Sequence, residues 1–354
     1  MTLSPDAVLE LAGHFSIAPQ TLFPADTGPP FGGISGLAPT GQPGEYYAVS
    51  DDRVGHRLYR VRVTGEGATF RVEPLEMIPL DPAEHGPRLD PEAIVVTGDG
   101  DLLISSEGRG RQVPHVPPAI AQYSPRGAFV RRLEIRDRYL ADVDSERTRG
   151  VRDNAGFESL ALSPSGQRLY TATETALLQD GDTVTFDHGT TARLLEFIPD
   201  GSTFVPRREF AYPLDALGIA PFTPGINVAG VVELLALSDD ELLALERTFI
   251  EVAGQRRGIN DIRLYHVSVG GSDDVSAIDS LRSAAAVTPV RKRLVLDLSA
   301  LEGLPSELTT LDNFEGLARG PTLADGSRSL LIVSDDNFNK TQRTWFLLLR
   351  ISDR

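Results

Sequence analysis

The chain has 354 residues, a net charge of −16 and no cysteine, with 41% hydrophobic and 24% charged residues. That balance supplies a globular core, and the missing cysteine excludes disulfides, thiolate metal sites and a cysteine nucleophile. The excess of acid argues against nucleic-acid binding over a broad surface. No stretch approaches the ~18 apolar residues of a membrane helix. The start, "MTLSPDAVLELAGHF", lacks the basic segment and apolar run of a signal peptide.

Taken in chain order, residues 1–30 hold one strand-like run near "GHFSIAPQTLF" and little else. From there a two-part unit begins and recurs. Its first part is a polar residue opening a small apolar strand: "SGLAP" at Ser35, "EAIVV" at Glu92, "ESLAL" at Glu158, "ELLAL" at Glu233 and "EGLAR" at Glu315. Its second part is a hydrophobic strand ending in an acid: "YYAVSDD", "LLISSEG", "LYTATET", "LLALERT" and "LLIVSDDN". The two parts stand a β-hairpin apart, and further short alternating runs such as "RLYRVRV", "ARLLEFIP" and "DIRLYHVSV" follow them. Four strands per unit is the make-up of a propeller blade. The expected fold is all-β: one propeller domain over 1–354, with five four-stranded blades and room for a sixth. The last copy runs short of strands, so a strand from residues 1–30 is expected to close the ring.

Two loop insertions interrupt the pattern, at 136–153 and 270–290. The first is rich in both charge signs and leads into Asn154 and Glu158, which suits a surface excursion or a lid. The second contains "SDDVSAIDSLRSAAA", whose Ser/Asp start and helix formers predict a short helix.

In a blade the innermost strand crosses the ring and the second strand returns, so the start of the first and the end of the second share a face. Those are the two places where this sequence puts acids. Glu92, Glu158, Glu233 and Glu315 open first strands, while Asp51, Glu107, Glu174, Glu246 and Asp335 close second strands. The expectation is a ring of carboxylates at one channel mouth. Like charges this close raise one another's pKa or require a cation. Oxygen-only ligation suits Ca²⁺ first and Mg²⁺ second. The candidate metal ligands are Asp51, Glu92, Glu158, Glu233, Glu315 and Asp335, with Asn154 and Asn313 as neutral oxygens. Asn227 lies similarly upstream of Glu233. "SDDNFNKT" alternates like the start of a calcium loop, but Lys340 holds the sixth position and it is not an EF-hand.

Arginines flank the acids. Arg53 and Arg109 each follow an acid by two, and Arg247 follows Glu246 directly; Arg111, His56 and His115 occupy the same class of loop. Guanidinium groups beside a metal would hold an anionic ester, with Arg53 and Arg109 as clamps and Glu107 as general base. There is no G-x-S-x-G elbow, Walker A loop, H-E-x-x-H or zinc-spaced histidine pair. Ser35 takes the place of the blade glutamate without a spaced His–Asp partner.

The ordered set "GGISGLAP…YYAVSDDR", "DPEAIVV…LLISSEGRG", "GFESLALSPSGQRLYTATE", "LLALERTF…IRLYHVSV" and "NFEGLA…LLIVSDDNF" resembles the phytase-like family, described as having esterase-like activity of phytase. The resemblance spans about Phe31 to Ile351. It implies a β-propeller, often exported in bacteria to the periplasm or medium, with a link to phosphate-ester hydrolysis. The positions matching the family's acidic motifs are Asp51, Asp52, Glu92, Glu107, Glu158, Glu246, Glu315, Asp335 and Asp336. The family shares its general plan with calcium-dependent lactonases. Together these readings give a calcium-dependent hydrolase of phosphate or related esters, monomeric, with a small anionic ester as substrate. Two other functions fit the residues: a non-catalytic propeller whose structural calcium supports binding of a macromolecule or sugar, and a calcium-dependent lactonase.

Overall fold

The computed structural model describes residues 3–352 apart from 5, 25–26, 82–88, 110–115, 143–146, 219–226, 252–257 and 285, and Asn227 by its backbone alone. Blade 1 is built from β2 (Ile34–Pro39), β3 (Glu45–Ser50), β4 (Arg57–Thr64) and β5 (Arg71–Pro79). Blade 2 uses β6 (Pro91–Val96), β7 (Leu102–Ser106), β8 (Ala119–Tyr123) and β9 (Phe129–Arg132). Blade 3 uses β10 (Ala161–Leu162), β11 (Leu169–Ala172), β12 (Thr190–Asp200) and β13 (Thr203–Leu214). Blade 4 uses β14 (Asn227–Ala236), β15 (Glu241–Ile250), β16 (Ile259–Ser268) and β17 (Arg291–Asp297). Blade 5 takes β18 (Asn313–Arg319), β19 (Arg328–Asp335) and β20 (Thr344–Ser352) from the end of the chain, and its outer strand, β1 (Val8–Ile17), from the beginning. The antiparallel pairing of β1 with β20 closes a five-bladed propeller. No sixth blade forms among the described residues; the wider spacing of the later copies goes into longer strands and the two insertions.

The hydrophobic pattern explains the packing. A strand in mid-blade is covered on both faces by neighbouring blades, so it reads as a continuous apolar run. In β19, Leu330 and Ile332 pack toward blade 4, while Leu331 and Val333 pack toward blade 1. Five clusters of buried residues result, one at each junction between blades. Outer strands have only one covered face, and β5 and β9 alternate between covered and exposed positions accordingly.

The second insertion is not a helix. Among its described residues only a 3-10 turn, Leu281–Ser283, appears. Its polar groups are taken by blade 3 instead. Asp274 accepts hydrogen bonds from the Glu209 and Ser276 amides (3.1 and 2.9 Å), and Arg193 donates to the Ile278 carbonyl (2.9 Å). Tertiary partners have outcompeted local helix propensity. The first insertion is pinned as well, with Tyr139 buried against Phe157 and Arg138 donating to the Ser276 carbonyl at 2.7 Å.

Candidate functional site

Irregular pairing at the start of each inner strand aims the acids. The register shifts between Ile34 and Gly36, Pro91 and Ile94, Val231 and Glu233, and Phe314 and Gly316. In blade 3, Phe157 bridges Thr173 and Ala161 pairs with Tyr170, so the inner strand again carries one extra residue. A bulge bends the strand and re-aims a side chain. Ser35, Glu92, Glu158, Glu233 and Glu315 all lie within or beside these bulges.

Strand pleating sets the second half of the ring. Val49, Leu103, Ala172, Leu245 and Val333 each pack toward the following blade. An even number of residues further on, the same face presents Asp51, Glu107, Glu174, Arg247 and Asp335. Blade 4 therefore contributes a guanidinium to the ring. Glu246 lies on the opposite face of β15, where Tyr212 Oη (2.7 Å) and Lys292 Nζ (2.9 Å) donate to its Oε1.

The ring divides into two halves. In the closed half, Arg247 donates through Nη1 to Asn313 Oδ1 and Glu315 Oε1 and pairs through Nη2 with Glu174 Oε1 at 3.3 Å. Asn313 Nδ2 donates to Glu315 Oε1 (3.0 Å) and Asp335 Oδ2 (3.3 Å), and the Asn337 amide donates to Asp335 Oδ1 (2.7 Å). In the open half, Asp90 is held by Arg53 Nε (2.9 Å) and by Arg109 Nε and Nη2 (3.1 and 2.9 Å). Arg53 Nη2 also donates to Asn154 Oδ1 at 2.8 Å and stands 3.7 Å from Glu107 Oε1. Carboxylate oxygens of Asp90, Glu92 and Glu107 lie within 4.8 Å of one another. Glu107 Oε2 and Asp51 Oδ1 are buried and accept no hydrogen bond from a nitrogen or hydroxyl of any described residue, while the Glu107 carboxyl stands in hydrogen-bond contact with the carboxyls of Glu158 and Asp90. Gly33, at φ +62°, leaves room for Asp51; a Cβ there would collide with Asp51 Oδ1.

Such crowding has an electrostatic signature. Burial, reinforced by Glu315 and Asp90, pushes Asp51 up to about 8. Burial likewise drives Glu92, Glu107, Glu158 and Asp335 well above the usual carboxylate range, with further upward push from their acidic neighbours. Glu174 is raised by burial and held back by Arg247. Seven buried acids (Asp90, Glu92, Glu107, Glu158, Glu174, Glu315, Asp335) and the half-buried Asp51 face three arginines (Arg53, Arg109, Arg247). Desolvated like charges cannot all ionise without added positive charge.

Not every expected ligand joins the cluster in the same way. Asp51, Glu92, Glu107 and Glu158 sit together in the open half or at its border. Glu315, Asp335 and Asn313 are engaged within the closed half, and Asn154 is engaged by Arg53. Glu233 accepts from the Leu160 and Leu234 amides (3.0 and 2.9 Å) through one oxygen, strapping β14 to the inner strand of blade 3. His56 is buried beneath the loop that carries Arg53. Arg111 and His115, and the side chain of Asn227, lie outside what is described. Asp90 is a ring member that the blade motif does not name, and Arg247 stands in the ring itself and not only as a cation flanking Glu246. Asp90 precedes Glu92 by two, as Asn313 precedes Glu315, and that shared offset was the available signal. For Arg247 the signal was the count of alternating leucines in "ELLALER".

Fold and site together define a five-bladed β-propeller with a buried ring of acids and arginines at one mouth of its channel. Residues 29–338 match the family described as phytase-like, with esterase-like activity of phytase, and the chain belongs to that family. Among solved structures, the PQQ-bound aldose sugar dehydrogenase of Streptomyces coelicolor is similar at 13% identity, covering 99% of this chain and 100% of that chain with a TM-score of 0.41. A gluconolactonase of Xanthomonas campestris is similar at 11% identity, covering 86% and 68%, with a TM-score of 0.34. A periplasmic gluconolactonase of Pseudomonas aeruginosa is similar at 12% identity, covering 96% and 99%, with a TM-score of 0.36. No curated protein matches the chain.

Proposed function

We propose that the protein is a calcium-dependent hydrolase of phosphate or related esters, working at the open half of the ring. The observation that carries the reading is the pair of buried oxygens, Glu107 Oε2 and Asp51 Oδ1, that have no nitrogen or hydroxyl donor among the described residues and lie beside two arginines. A carboxylate oxygen buried without a donor is costly and calls for a cation or a proton. The donor set is oxygen throughout, which fits a hard divalent ion. Glu92 and Glu107 would supply its ligands, with Asp90 as a third oxygen already oriented by Arg53 and Arg109. When bound, calcium would polarise the ester and acidify an adjacent water.

The chain's own groups divide the remaining work. Arg53 is about half exposed and Arg109 is oriented through Asp90, so both guanidinium groups sit at the rim where an anionic ester would arrive. Glu107 belongs with the ligands, and the general base falls to Asp51. Burial, with Glu315 and Asp90, pushes its pKa up to about 8 in the metal-free protein, so it holds a proton more tightly than an ordinary carboxylate. Asp51 takes a proton from the attacking water and gives it to the leaving oxygen as the ester bond breaks. Arg247 and Glu174 shape the wall of the site from the closed half.

The test is turnover of a phosphomonoester, phytate and a lactone panel by folded protein, with calcium and with chelator, alongside direct calcium titration. Calcium-dependent phosphate release, lost in Asp51→Asn with calcium uptake kept, is the expected result. Lactone opening alone would move the substrate class. Calcium-dependent stability with no turnover of any substrate would make the ion structural and sink the enzymatic reading.

A further inference from the structure

The five inner strands that begin at the acidic mouth end in surroundings of opposite character. Leu37, Ile94, Leu162, Leu235 and Leu317, one from each blade, line a cavity of about 400 Å³ at the far end of the channel. That volume falls in the range of small-molecule sites, about 300–1,000 Å³. One charged side chain lines it, that of Arg319 at the end of β18.

Arg319 is half-buried and donates through Nη2 to the Ala236 carbonyl at 2.8 Å. It makes no ion pair with any described residue. The deeply placed Arg193 and Arg247 each pair with two carboxylates, and the buried Arg57 pairs with Asp52. Arg152 is half-buried and donates to carbonyls alone, as Arg319 does, but Arg319 differs in lining a cavity. Burial also depresses its pKa, with no acid to offset the effect. Desolvating a cation without a partner is costly, and an arginine without an ion pair that lines a largely aliphatic cavity matches a ligand with one negative charge and a hydrocarbon tail.

We propose that this cavity binds a medium-chain aliphatic monocarboxylate, with its tail among the five inner-strand side chains and its carboxylate on Arg319. The tail gains by leaving water in proportion to its buried area. The carboxylate supplies the charge-assisted partner that the chain itself lacks. One guanidinium with one nitrogen already engaged suits a singly charged head. Because the cavity and the acidic mouth use opposite ends of the strands, this site is independent of the proposed hydrolase chemistry.

The experiment is calorimetric titration of the full chain with decanoate, decanol and acetate, at concentrations below micelle formation. Decanoate should bind saturably at one per chain, with decanol and acetate each at least tenfold weaker. Arg319→Gln should reduce decanoate to the level of decanol, and Arg319→Lys should restore part of the loss. Val96→Trp, which fills the cavity from a half-buried position at the end of β6, should abolish binding while circular dichroism stays unchanged. Glu107→Gln at the acidic mouth should leave it intact. Absence of saturable decanoate binding, or equal binding by Arg319→Gln, overturns the proposal. Preference for a protein or nucleic acid at this face, with no decanoate competition, would overturn it as well.

Discussion

Two of the buried charged clusters in this propeller are built on opposite plans. Under the second insertion, Arg193 is fully buried between Asp180 and Glu209, pairing at 2.6 and 2.9 Å with the first and 2.8 Å with the second. Arg136 reaches the far oxygen of Glu209 at 3.0 Å, and the Leu281 amide donates to Asp180 at 2.8 Å. Each charge there has an opposite charge and each oxygen has a donor. At the channel mouth the acids outnumber the arginines and two oxygens have no nitrogen or hydroxyl donor among the described residues. Burial alone therefore does not mark a functional site. Burial with an unbalanced charge does, because evolution of a stable fold gives no reason to leave it so.

The two plans predict opposite responses to losing a charge. Arg193→Leu should destabilise the protein by about 3–5 kcal/mol, since it strands two buried carboxylates. Calcium should not restore the loss, and urea unfolding with and without calcium measures both points. A variant as stable as the parent would show the cluster to be incidental.

The mouth should also respond to pH. Asp51, Glu92, Glu107, Glu158, Glu174 and Asp335 have folded-state pKa values raised above the ordinary value of about 4, so their stabilising contribution is fully present below that value. It is then lost as pH rises through the folded values, of which Asp51 reaches about 8. Stability in chelator should fall between about pH 4 and 8, each unit of displacement being worth about 1.4 kcal/mol per group. Calcium should flatten the slope by taking the place of the protons. The difference between the two conditions isolates the mouth from carboxylates elsewhere, such as Asp52, whose pKa is lowered chiefly by Arg57 against the effect of burial. Parallel curves with and without calcium would break the contrast.

Smaller still is the effect of neutralising one acid. Glu107→Gln should stabilise the chelated protein at pH 8 by on the order of 1 kcal/mol, because it removes one of several repelling charges. The same change should weaken calcium binding at least tenfold. Thermal melts and calcium titration read the two effects separately, and a loss of stability in chelator would contradict the idea of an overcharged mouth.

Much of this architecture was legible in the sequence, for physical reasons. Strands covered on both faces produce apolar runs such as "LLIVS" and "LLISS", and turns punctuate them, so the blade repeat and the N-terminal closure could be read directly. The acids could be read because they interrupt those runs at fixed places. What could not be read was set by partners distant in sequence. The helix expected after Ser272 is replaced by hydrogen bonds to β13 and Arg193. The division of the ring into halves depends on Arg247 reaching Asn313 and Glu315 in the next blade, which no local pattern encodes.

Glu246 makes the finest distinction between the two plans. By motif it matches Asp51, Glu107 and Asp335, yet one residue of register turns it from the mouth to the junction of blades 3 and 4. There it is balanced, with Lys292 and Tyr212 as partners. Burial raises its pKa while Lys292 and Tyr212 hold it down. Glu246→Gln keeps an oxygen for both donors and removes only the charge, so the expected cost is about 1 kcal/mol. Calcium affinity and turnover should be unchanged. A tenfold fall in calcium affinity would instead place Glu246 in the ring and overturn the pleating argument on which the division of the mouth rests.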